Sequence, residues 1–286
     1  MSTPPPEEPV VSRALQERPD QRFVGDRDLT AWPTAAGSGL ARLALRLRQR
    51  LTPHAVLLVV LAVGLLLAAG LTALAGAVYD AVTEDDGVAV LDRPALDAVI
   101  HLRTPTGNTL ITAFSDIGGA VGMPVLATVV ALGLAVGWRQ WTPVLLIAAT
   151  AAGSLALTVV GKAAIGRVRP PLAEAVPPYE ISASFPSGHT LNTIALAGIV
   201  TYLLVRRQHS RRARTATVLA AALFSLLMGA SRVYLGHHWL TDVLVAWALG
   251  LAWLTVVITA HRLLLTLRAG RHRAIPPDPP RAPHTG

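Results

Sequence analysis

Apolar residues along this chain gather into runs of about twenty or more, the length an α-helix needs to cross a hydrocarbon layer. The runs fall at about 55–80, 110–137, 143–162, 189–205, 215–235 and 241–265, separated by short stretches richer in charge, proline and glycine. Six runs predict six membrane-spanning helices, with both termini on one side. Two shorter segments carry helical patterning without the length to span. Residues 91–102, with Leu91, Ala95, Leu96, Val99, Ile100 and Leu102, predict a short interfacial helix leading into the second span. Gly39 to Leu51 sets Leu40, Leu43 and Leu47 against Arg42, Arg46 and Arg50. That pattern reads equally as a helix lying on the membrane surface or as an extension of the first span. Residues 1–36 and the proline-rich tail from Ile275 have the composition of disorder. With the first long apolar run starting near residue 54, no signal peptide is expected. The expected organisation is a disordered tail ending in a basic amphipathic segment (1–50), a six-span domain (51–268) and a second disordered tail (269–286).

Composition agrees. Of 286 residues, 52% are hydrophobic and only 15% charged, too apolar for an ordinary soluble domain. The net charge of +8 is unevenly placed. Arg42, Arg46, Arg48 and Arg50 precede the first run, and Arg139 lies between the second and third. Arg206, Arg207, Arg211, Arg212 and Arg214 lie between the fourth and fifth, and Arg262, Arg268, Arg271 and Arg273 follow the sixth. All fall on one side, which the positive-inside rule assigns to the cytoplasm, while Glu84, Asp85, Asp86, Asp92 and Asp97 mark the other. The charge thus reads as membrane topology with attraction to anionic lipids, and no basic folded module suggests nucleic acid as a partner. The absence of cysteine excludes disulfides, thiolate metal sites and a cysteine nucleophile.

Three segments carry candidate chemistry, all at the outer ends of spans. The first holds Lys162, Arg169 and Pro170. Lys162 is the single lysine against 24 arginines. Pro170 biases Arg169 away from helix, and Arg167 is either a spare cation or solvated. By itself this segment reads as basic side chains reaching for the interface. The second, Pro186-Ser187-Gly188-His189, starts a helix whose amides and dipole suit an anion. Ser187 can cap the helix or donate to a phosphate oxygen. The third holds Ser231, Arg232, His238 and Asp242. His238 and Asp242 lie four apart on one helix face, so the carboxylate can fix one ring nitrogen and leave the other free as nucleophile. His237 is five from Asp242 and points off that face. Simple capping and solvation would also account for such a pair.

Taken together, the three segments resemble the signature of the type 2 phosphatidic acid phosphatase superfamily, with eleven identities in order between Lys162 and Asp242. The resemblance implies an all-α, polytopic six-helix bundle with its active site at the extracytoplasmic interface of the cell membrane. It implies a lipid phosphatase in which His238 attacks phosphorus to form a phosphohistidine, Asp242 orients it and His189 serves as acid and base. Lys162, Arg169, Arg232, Ser187 and the Gly188 amide would hold the phosphate. Three fixed cations require no divalent metal and no cofactor. Undecaprenyl diphosphate, phosphatidylglycerophosphate, phosphatidate and diacylglycerol pyrophosphate all present a suitable terminal phosphate. Membrane lipids are the expected partners, and a homodimer is neither required nor excluded by the sequence. Two other readings stand beside this one: a phosphotransferase of the same superfamily that passes the group to an alcohol, and a transporter or structural membrane protein without turnover.

Overall fold

The computed structural model describes residues 23–24, 27–50, 70 and 88–272. A two-residue hairpin, β1 (Phe23–Val24) with β2 (Arg27–Asp28), precedes helix α1 (Ala35–Arg50). After a 3-10 turn at Val88–Leu91 come α2 (Asp92–His101), α3 (Pro105–Ile117), α4 (Gly122–Trp138) and α5 (Thr142–Ile165). An irregular link carries one 3-10 turn, Leu172–Glu174, and leads into α6 (Gly188–Val205), α7 (Arg211–Tyr234) and α8 (Leu240–His272).

Four of these helices, α5 to α8, are long and apolar enough to cross a membrane. The second run is where pattern and structure differ. Residues 110–137 were expected as one span, but α3 and α4 meet at a break and bend by 50°. The pair counts as a fifth crossing if taken together. Thr104 starts α3 by accepting from the Gly107 amide at 3.0 Å, with Pro105 in the first turn, so the helix begins before the apolar run does. At the break, a Cβ on Gly122 would fall on the carbonyls of Asp116 and Ile117, which leaves room only for glycine. The first expected span, 55–80, lies outside the described residues. The helix expected over 91–102 is present as α2.

Helix α6 is the hub of the bundle, packed against α5, α7 and α8. Its mean character is apolar all round, and Leu191, Ala195 and Ile199 are fully buried. The core continues through Leu146 and Ile147 of α5 to Val257 of α8. Large side chains on the outer faces, among them Val125, Val129, Leu155, Leu223 and Leu226, stay exposed, forming the apolar belt a lipid-facing surface needs.

Composition predicts disorder over 1–36, yet residues 29–32 are held against the last helix. Arg262 donates to the carbonyls of Leu29 (2.9 Å) and Ala31 (2.7 Å) and lies over the Trp32 ring, whose indole donates to Thr266. Satisfied backbone carbonyls and a stacked arginine supply what the poor local hydrophobicity does not.

Candidate active site

All three singled-out segments meet at one end of the bundle. The last turn of α5 carries Lys162, the link after it carries Arg167 and Arg169, and α6 begins at Gly188 and His189. Helix α7 carries Arg232 in its last turn. The turn to α8 holds His237 and His238, and the first turn of α8 holds Asp242. Gly236 makes that turn with a φ of 70°, and a Cβ there would lie 2.7 Å from the Glu174 carbonyl, so only glycine fits.

His238 is 1% exposed. Its Nδ1 lies 3.5 Å from both Asp242 Oδ2 and Ser184 Oγ, while Nε2 lies 3.3 Å from the Arg169 guanidinium. Burial lowers its pKa to about 4 against the opposing pull of Asp242, so the ring is neutral near pH 7, the form a nucleophile requires. His237 has a different job. Its Nε2 bonds the Val176 carbonyl at 2.7 Å, pinning the link to the α7–α8 turn.

Asp242, fully buried, is held from several directions. It accepts from Ser184 Oγ at 2.5 Å, from the Trp239 amide at 3.0 Å and from Arg167 at 2.6 Å. Arg167 also reaches Asp92 at 2.7 Å. Asp92 in turn accepts from the Thr241 amide at 2.8 Å and hydroxyl at 2.7 Å, placing a carboxylate at the N-terminus of α8. Arg167 is therefore neither spare nor solvated. It joins α2 to the His238–Asp242 pair.

Lys162, Arg169 and Arg232 lie around the link between α5 and α6. Arg169 donates to the carbonyls of Ser182 (2.6 Å) and His237 (2.5 Å), and Arg232 donates to Ser115 Oγ of α3 at 2.6 Å. Lys162 donates to Ser182 Oγ at 3.1 Å and to the Ala183 carbonyl. His189 sits under the break between α3 and α4, where a Cβ on Gly118 or Gly119 would come within 3.4–3.5 Å of its ring. Gly188 packs on Thr158. Ser187 is the exception: it is fully buried, and its hydroxyl pairs with Thr190 at 2.9 Å.

Ser184 and Glu180 were both missed altogether. Glu180 bridges Arg169 (2.7 Å) and Arg232, and lies within 4.0 Å of a ring nitrogen on each of His189, His237 and His238. Burial alone would raise its pKa, but Arg232 and Arg169 hold it down to about 2, so it is an anion throughout the physiological range. A glutamate in an irregular link reads as solvated, and only the fold reveals what surrounds it.

From this cluster a cavity of about 550 Å³ runs down between α4, α5 and α6. Lys162, Glu180, His189 and His238 line its upper end, while Ala131, Leu132, Ile147, Ala151 and Leu196 line the rest. The arrangement can hold a multiply charged anion at one end and a hydrocarbon chain along the other.

Comparison with known proteins agrees with the resemblance. The profile of the PAP2 superfamily matches residues 143–264. Phosphatidylglycerophosphatase B of Bacillus subtilis (strain 168) is 32% identical over 161 residues, covering 56% of this chain and 78% of that protein. Among solved structures, the transmembrane PAP2 type phosphatidylglycerolphosphate phosphatase from Bacillus subtilis overlays with a TM-score of 0.57 at 26% identity. That overlay covers 78% of this chain and 98% of the other.

Proposed function

Because this chain belongs to the PAP2 superfamily, we propose that it is a multi-pass membrane lipid phosphatase that removes the terminal phosphate of a lipid phosphate or diphosphate at the outer face of the cell membrane. The observation that carries this reading is the cradle of Lys162, Arg169 and Arg232 beside an apolar cavity that Lys162, His189 and His238 line at one end. A phosphate head would rest on the cations while its chain lies along α4 to α6. The cytoplasmic arginine bias supports both termini inside, and the six-span layout includes the run at 55–80. The six-span domain, 51–268, would carry the activity without the tails.

In this mechanism Nε2 of His238 attacks phosphorus. The bond from phosphorus to the leaving oxygen breaks, and His189 supplies the proton that oxygen needs. Asp242 holds Nδ1 and stabilises the imidazolium as it forms. Water then attacks the phosphohistidine, His189 takes its proton, and orthophosphate leaves with His238 neutral again. Lys162, Arg169 and Arg232 stabilise the charge that spreads over the equatorial oxygens. The Gly188 amide and the Ser187 hydroxyl, once released from Thr190, would add donors. Phosphatidylglycerophosphate, the substrate in the names of the Bacillus relatives, is the first lipid to test, with undecaprenyl diphosphate and phosphatidate beside it.

The reading is tested by incubating purified protein in detergent with this panel and measuring free phosphate. Release from at least one lipid is expected. No release from any would remove the reading, and phosphate found on an acceptor alcohol would make the protein a transferase. Hydrolysis should survive EDTA and be inhibited by vanadate, since the cations are part of the chain. Full loss on chelation, restored by magnesium, would contradict the assigned cradle. Lys162→Arg offers a further check. Lysine presents a compact ammonium to Ser182 and Ala183, and a planar guanidinium is too long for that position. The turnover number is expected to fall roughly tenfold or more, about 1.4 kcal/mol, with unchanged folded yield. Wild-type turnover in the folded variant would mean that Lys162 does not touch the reacting phosphate.

A further inference from the structure

All three cations of the cradle are engaged by one four-residue segment of the chain itself. Glu180 sits on Arg169 and Arg232; Ser182 and the Ala183 carbonyl sit on Lys162 and Arg169. The carboxylate also lies 4.0 Å from Nε2 of His238, the nitrogen that must approach phosphorus, so no phosphate can take up an in-line position while Glu180 remains. The neighbours of Glu180 do not bury it further. Tyr179 is half exposed and Ile181 fully exposed, and Glu180 itself keeps 28% of its side-chain surface. The segment separates the lipid-side cavity from an outer cleft lined by Arg167, Arg169 and His237, and Glu180 and Ser182 line both. The segment lies outside the buried core, which begins at Ser184.

We propose that segment 180–183 is a charge filter, with Glu180 as the specificity-determining residue that admits monoester phosphates and turns away phosphodiester headgroups. The inference rests on the phosphatase reading of the site. Its logic is a count of charge. Lys162, Arg169 and Arg232 bring three positive charges, and Glu180 cancels one. A phosphodiester is a monoanion, so exchanging it for Glu180 leaves the balance as it was and gives up a tethered ligand for a free one. A terminal phosphate is a dianion above its second pKa of about 6 and improves the balance by one charge. Its three terminal oxygens can also meet the donors that Glu180, Ser182 and Ala183 now meet. A membrane consists largely of diester headgroups, each able to reach a bare cation cradle, so an enzyme acting on scarce monoesters gains from an internal anion that only a dianion outcompetes.

The test compares the wild type with Glu180→Gln, which keeps shape and removes charge. Phosphatidate hydrolysis in mixed micelles is measured against rising phosphatidylglycerol. The variant is expected to be inhibited at a diester concentration roughly tenfold or more below that needed for the wild type. Calorimetry with methyl phosphate and dimethyl phosphate near pH 8 gives a readout that needs no turnover. Dimethyl phosphate affinity should rise far more than methyl phosphate affinity in the variant. Equal diester sensitivity in both proteins, or weaker binding of both anions to the variant, would overturn the filter and leave Glu180 as a brace that aligns the arginines. If neither protein binds methyl phosphate and neither releases phosphate from lipid, the phosphatase reading itself fails, and the filter with it. Should Glu180→Gln not fold, Glu180→Ala is read in the same way.

Discussion

Replacing His238 with alanine is expected to abolish phosphate release, by roughly 10⁴-fold or more, while His237→Ala keeps most of the activity. The two residues are adjacent, alike and both buried, so the contrast isolates geometry. Only His238 has a nitrogen against Asp242 and Ser184 and the other facing the cradle beside Arg169. His237 spends its Nε2 on the Val176 carbonyl. Losing that bond should cost about 1 kcal/mol of stability and loosen the link, with a modest effect on turnover. Phosphate release by each purified variant, alongside its melting temperature in detergent, decides the matter. An active His238→Ala protein, or a His237→Ala protein that is folded but inert, would reassign the nucleophile.

The second large effect is expected at Arg167. Its guanidinium joins Asp92 and Asp242, both buried, at 2.7 and 2.6 Å. Arg167→Gln leaves two carboxylates inside with no cation between them, and removing one partner of such a buried pair costs about 3–5 kcal/mol. Without that guanidinium, Asp242 loses one of the donors that hold it against His238. A marked fall in melting temperature and a drop in turnover of roughly a hundredfold are therefore expected together. Adding Asp92→Asn should restore much of the stability, because it removes one stranded charge and keeps an oxygen for Thr241. Wild-type stability and turnover in Arg167→Gln would show the buried network to be dispensable.

The sequence made one half of this site readable and hid the other. Lys162, Arg169, His189, Arg232, His238 and Asp242 could be named because they lie near the ends of apolar runs that point to one membrane face, and because together they match the family signature. Arg167, Asp92 and Ser184 could not. Asp92 and Arg167 stand 75 residues apart, and neither helical periodicity nor hydropathy pairs residues at such a distance. Glu180 was hidden by its setting, an irregular link where a charge ordinarily meets water. The same limit explains the bent second span. Residues 118–122 are Gly-Gly-Ala-Val-Gly, so hydropathy passes through the break unmarked, while the close approach of Gly122 to the carbonyls of Asp116 and Ile117, which only glycine permits, is visible in the fold alone. Helix α2 was legible because its apolar and polar positions alternate with the helix period over a full ten residues.

Lys162 lies at the mouth of the cavity with its ammonium on Ser182 and Ala183, and it is the single lysine in the sequence. Amine-directed chemistry therefore has one side-chain address in the protein, and that address is the place where the phosphate would bind. Reductive methylation with isotope-labelled formaldehyde keeps the positive charge and installs a single lysine resonance. In a membrane protein whose crowded methyl spectrum is hard to assign, one lysine line, beside that of the N-terminal amine, would report directly on whether chain or substrate holds the cradle.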